Sequence, residues 1–202
     1  MQAKTDDKKL IYSFIILDII IILLHLIFAR NYTFFNLGKE NNLPTYYMGM
    51  KLIFTAGLIF YYCQKTKWYL SSIYVLVMFI YAGFDEVLEL HEKAAQKYHY
   101  LVEDIFYSQD RFSWLFLFAP ILFVSLIIAI KFINRLKENK KWFYIGILIL
   151  SLAIGLEVVE SIHYNSPYIY ISIFFEELFE ITSITFFIYA IYKSLPNTKN
   201  IK

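Results

Sequence analysis

The chain is 202 residues long, 59% hydrophobic and 20% aromatic, with 18% charged residues and a mean hydropathy of +0.52. A water-soluble domain of this size keeps roughly 45–50% apolar and about 25% charged residues, because its surface faces water; this composition excludes such a surface and calls for lipid to cover part of it. The net charge of +2 is too small to argue for a nucleic-acid partner, and a single cysteine, Cys63, excludes an intrachain disulfide or a thiolate zinc cluster.

A helix needs about twenty largely apolar residues to cross roughly 30 Å of hydrocarbon. In chain order, such runs fall at 10–29, 45–63, 68–89, 113–130, 142–163 and 168–195. The first has no small-residue cleavage site and reads as a retained span rather than a signal peptide. Backbone polar groups in lipid must be satisfied within their own segment, so each run is expected to be a helix. The expected fold is all-α: a single polytopic membrane domain over 1–202, a bundle of six transmembrane helices. After Gly83 there is no glycine or proline until Pro120, so the third helix is expected to continue as an extracytoplasmic extension over about 90–107.

Lysine and arginine placement sets the direction. With an inside amino terminus, thirteen of the 19 basic residues fall on the inner side, five of them between Lys131 and Lys141. The outer side receives Arg30, Lys39, Lys51, Lys93, Lys97 and Arg111. Both termini are therefore expected in the cytoplasm, with the chain in a prokaryotic inner or plasma membrane and the lipid bilayer as its first partner. Trp68, Trp114 and Trp142 lie near the ends of runs, as headgroup-level anchors do, although aromatics are common throughout. Asn31-Tyr32-Thr33 matches a glycosylation acceptor, a weak three-residue signal.

The informative residues are ionisable groups inside apolar runs. Asp85, Glu86, Glu89, His91 and Glu92 end the third run. Glu157, Glu160 and His163 lie in the fifth, and Glu176, Glu177 and Glu180 in the sixth. At about 1.5 Å per residue, Asp85 lies roughly 24 Å from the inner end of its helix, and Glu157 and Glu160 roughly 22–27 Å from theirs. All are expected in the outer half, where they can meet in one layer. Asp85, Glu89 and Glu92 share one helical face, Glu176 and Glu180 share another, and on an unbroken third helix His91 points away from Asp85. Asp18 and His25 share a face of the first run and read as interhelical hydrogen-bonding groups.

A carboxylate at the centre of a span costs about 2.5–3.5 kcal/mol on insertion scales. Lys51, Lys93 and the histidines are too few to neutralise nine such acids, which leaves bound cations, protons or a water-filled pocket. Glu86, Glu89 and Glu92 read equally well as solvated residues just past the membrane surface.

Carboxylates with histidine suit iron, manganese or zinc. Glu160-x-x-His163 has the spacing that helical di-iron proteins use twice, and it occurs once here. The leading expectation is a divalent-metal site that activates water or oxygen against an apolar small molecule or a lipid. Two readings stand beside it: a proton or cation transport or relay protein, and a non-catalytic component whose polar cluster joins helices. The gathering of acids on the outer side, with no inverted repeat, argues against transport. No Gly-rich phosphate loop, Gly-x-Ser-x-Gly elbow or His-Glu-x-x-His occurs, and four histidines are too few for desaturase-like histidine boxes.

Phe84-Asp85-Glu86-Val87 through His91-Glu92, with the later Glu176-Glu177-Leu178-Phe179-Glu180, resembles a pattern in a group of uncharacterised prokaryotic multispan integral membrane proteins. These carry an Asp-Glu…His-Glu motif at the end of one span and a Glu-Glu-x-x-Glu motif near the last. The resemblance covers two short stretches. It implies a site built from Asp85, Glu86, His91, Glu92, Glu176, Glu177 and Glu180, and brings no activity with it.

Overall fold

The computed structural model describes residues 3–39, 41–98, 110–162 and 167–196. Among them are seven α-helices and no strand: α1 Ala3–Phe28, α2 Leu43–Lys65, α3 Leu70–Leu88, α4 Leu90–Tyr98, α5 Asp110–Ile133, α6 Lys140–Ile162 and α7 Ile169–Lys193. Each apolar run has become one long helix. Among the described residues three stretches are long and apolar enough to cross a membrane, rather than six: Lys9–Phe28, Leu70–Leu88 and Pro120–Glu160, the last shared between α5 and α6. The composition of α2 and α7 explains the difference. Lys51, Lys65 and several tyrosines and threonines dilute α2, and Glu176, Glu177 and Glu180 fall in the middle of α7.

Local chemistry sets the helix ends. Asn42 begins α2 in extended geometry, its side chain accepting from Thr45 N at 3.1 Å, with Pro44 in the first turn where no amide is needed. Successive long helices reverse direction, which sorts the connectors. At one end Tyr62 Oη donates to Arg135 O at 3.3 Å, and Asn139 Nδ2 donates to Lys193 O at 3.0 Å. Lys65, Lys67, Lys131, Arg135, Lys137, Lys140, Lys141 and Lys193 all belong to this basic end. The 29–42 loop and α4 lie at the other.

Helix α7 is the axis of the bundle, because its C-terminal half takes part in both apolar cores. Ile181, Ile184 and Ile188 pack with Ile21, Tyr47 and Met48 of α1 and α2. Phe187, Ala190 and Ile191 pack with Ile59, Val75, Phe132 and Phe143. Its N-terminal half is far less enclosed: Tyr168, Tyr170, Ile171 and Phe175 are exposed. Close helix approach needs small residues. A Cβ on Gly49 would lie 3.1 Å from Gly83 O, and one on Gly83 would lie 3.2 Å from Gly49 O, which brings α2 and α3 backbone to backbone. Likewise a Cβ on Gly146 would meet the Phe187 ring at 2.5 Å, so α6 sits tight on α7.

The third helix does not run on. Glu89 adopts left-handed geometry (φ 55°, ψ 41°) and α4 starts afresh at Leu90. Such a conformation costs a residue other than glycine roughly 1–2 kcal/mol. Tertiary contacts hold it: Asn41 Nδ2 donates to Glu89 Oε1, and Lys93 Nζ donates to Leu88 O at 2.6 Å. Residues 99–109, the remainder of the expected extension, lie outside the described residues.

Candidate functional site: carboxylates between two helices

Two polar centres lie along α7. The first contains no residue that the sequence nominated as a ligand. Lys51, counted from sequence among the outer basic residues, is 1% exposed inside the bundle. Its Nζ donates to Asp18 Oδ1 at 2.7 Å, to Ile181 O at 2.7 Å and to Thr185 Oγ1 at 2.6 Å. Asp18 also accepts from Tyr47 Oη at 2.5 Å and from Thr185 Oγ1 at 2.6 Å. An ammonium has three hydrogens, and all three are used. Burying two ions costs several kcal/mol each, offset only where geometry and additional hydrogen bonds are good. Here they are. This centre joins α1, α2 and α7 and leaves no donor of Lys51 for a ligand. The pairing was legible in principle: Asp18 and Lys51 are opposite charges in two apolar runs, and each needs a partner.

The second centre is the one the acids foretold. Helices α6 and α7 pack antiparallel, Gly146 near the start of α6 lying against Ser183 and Phe187 of α7, so the end of α6 faces the start of α7. The Glu176 carboxyl is within hydrogen-bonding reach of Glu160, and the charges of Glu180 and Glu157 act on it. Glu160 is 8% exposed. One carboxyl hydrogen-bonds to another through a proton on one of them. The Glu176–Glu160 pair is therefore a place where one proton can be held between two side chains. Glu177, beside them on α7, is half-buried.

The acids at the end of α3 have other partners. Asp85 Oδ1 accepts from His91 N at 2.8 Å, and Asp85 Oδ2 lies 2.9 Å from His91 Nδ1. This corrects the expectation that His91 points away: the break at Glu89 swings the α4 start back over Asp85. Glu89 is held by Asn41 and lies 3.7 Å from Lys93 Nζ, so it does not share a ligand face with Asp85. Glu86 is half-buried on α3. The Glu92 side chain and His163 lie outside the described residues. His25 anchors a loop, its Nδ1 accepting from Leu37 N at 3.0 Å while its ring stacks on Phe174 at 5.5 Å. Among the described residues, no three His, Cys, Asp or Glu side chains are arranged to hold a metal.

Fold and site together define an all-α protein with stretches apolar enough to cross a membrane and a carboxylate cluster between two of its helices. The chain belongs to the family described as Domain of unknown function (DUF8692), whose model matches residues 15–193. No curated protein and no solved structure matches it.

Proposed function

We propose that the chain is an integral membrane protein with both termini in the cytoplasm, in which the Glu157, Glu160, Glu176 and Glu180 carboxyl groups form a proton-exchanging relay centre. The observation that carries this reading is the hydrogen-bonding approach of Glu176 to Glu160 across two helices, with two further carboxylates in range. Acid chains within spans are the usual material of proton relays. Position supports it as well. The centre lies on the less enclosed N-terminal half of α7. Exposed apolar side chains all along α1, among them Ile16, Leu23, Leu26 and Ile27, support a lipid coat. The clustering of basic residues at one end of the bundle supports the orientation.

The test is proton flux into vesicles carrying the purified protein and a trapped pH-sensitive dye. Wild type is expected to dissipate an imposed pH gradient, and Glu160→Gln or Glu176→Gln to slow it at least tenfold, given that relay groups contribute factors of about 10²–10⁴ in proton transfer. Flux no greater than in protein-free vesicles rules the relay out. A metal-activating enzyme is the second reading, favoured by the presence of Glu160 in this centre three residues before His163. Stoichiometric iron, manganese or zinc in the purified protein, lost in both variants, would put it first.

A further inference from the structure

At the basic end, a corner of the bundle is furnished almost entirely with donors. Helix α3 begins there behind Tyr69, which occupies the cap position without a side-chain hydrogen bond. The first amide of the turn to reach a carbonyl is Ser72 N, at 2.9 Å from Tyr69 O, which leaves the Leu70 and Ser71 amides at the open, positive end of the helix. Ser71 is 7% exposed, and its Oγ has no hydrogen-bond partner among the described residues. Facing this turn, the Arg135 guanidinium lies on the Tyr69 ring, with Cζ 3.5 Å from the centroid. Its Nη1 is buried and has no acceptor among the described residues. The Arg135 charge reaches Tyr62 and Cys63 at the end of α2, so three elements close on the same corner. Lys67 adds a second cation, its Nζ 5.5 Å from the same Tyr69 ring. Glu138, the acid of the adjoining turn, is exposed.

Unfilled donors from a guanidinium, a hydroxyl and a helix N-terminus match one kind of group: an anion with several acceptor oxygens. We propose that this corner binds the phosphate group of an anionic ligand through Arg135, Ser71 and the first amides of α3. An anionic phospholipid headgroup and free phosphate share that chemistry. The lipid source rests on the membrane reading above; the free-phosphate source does not. Lysines packed on aromatic rings around the same end (Lys65 on Tyr61, Lys141 on Trp142 and Lys193 on Tyr189) fit a headgroup layer.

The test follows thermal unfolding of the purified, full-length protein during two titrations. One uses inorganic phosphate in detergent; the other uses phosphatidylglycerol added to phosphatidylcholine micelles. A rise in Tm with phosphatidylglycerol alone assigns the site to a lipid headgroup, and a rise with inorganic phosphate assigns it to a soluble anion. In either case Arg135→Gln is expected to weaken the apparent affinity about tenfold, as loss of a charge-assisted hydrogen bond does, and Ser71→Ala severalfold. Lys137→Gln, on the exposed part of the adjoining turn, is expected to respond as wild type. Should Arg135→Gln fail to fold, Ser71→Ala carries the comparison. Equal responses in all variants reduce the effect to diffuse charge attraction and overturn the site, as does a flat response to both probes.

Discussion

Helix α7 carries two polar centres in adjacent turns, and they are built in opposite ways. Around Thr185 every donor of Lys51 meets an acceptor, and Asp18 takes hydrogen bonds on both oxygens. Around Glu176 the neighbours are further carboxyl groups, with no cation among the groups that act on it. The first centre pairs opposite charges within the protein; the second gathers like ones. Buried charge alone is therefore a poor guide to function, and the better question is whether the charge finds its complement inside the chain.

The sharpest way to break this comparison is Lys51→Met, which strands Asp18 in the core. It is expected to destabilise the protein by roughly 3–5 kcal/mol, as loss of one partner of a buried pair does. Thermal unfolding in detergent measures it, and the double variant Asp18→Leu, Lys51→Met is expected to recover most of the loss. Near-wild-type unfolding of the single variant would show that the pair is not the structural lock described. Next in size is the α3–α4 break. His91→Ala removes the ring contact with Asp85 while the His91 N bond stays, and an effect of about 1–1.5 kcal/mol is expected for one hydrogen bond, read as faster protease cleavage around residues 89–90; unchanged cleavage would mean that the break holds without the imidazole. The carboxylate centre is expected to behave differently again. Glu160→Gln and Glu176→Gln keep shape and remove charge, so stability should stay within about 1 kcal/mol of wild type while proton flux falls. A collapse in stability instead would place these glutamates with Lys51 as structural groups. The smallest effect is a gain: nothing lies near a Cβ placed on Gly57, so Gly57→Ala should add roughly 0.5–1 kcal/mol through reduced backbone freedom.

Hydrophobic runs located five of the long helices to within three residues, because lengths near twenty leave little choice of structure, while α1 begins at Ala3, seven residues before its apolar run. What they could not supply was the break at Glu89. Neither glycine nor proline marks it, and the side chains that stabilise it, Asn41 and Lys93, act from a distant loop and from the following helix. His91 was misjudged for the same reason, since its direction depended on the helix being unbroken. In the carboxylate centre, the pairing of α6 acids with α7 acids followed from depth and helical facing; the separation of the α3 acids did not, because each had a local partner that spacing cannot reveal. Lys51 was placed with the outer basic residues by a counting rule that does not ask whether a lysine is buried.

Because α7 follows α1 and α2 in the chain, the Lys51 ammonium gains two of its three acceptors only once α7 has been made. A nascent protein that stops before Ile181 has α1 and α2 in place with their charges half satisfied. Docking of α7 is therefore the step that completes this centre, and α1 and α2 hold an unfinished charge pair until it arrives.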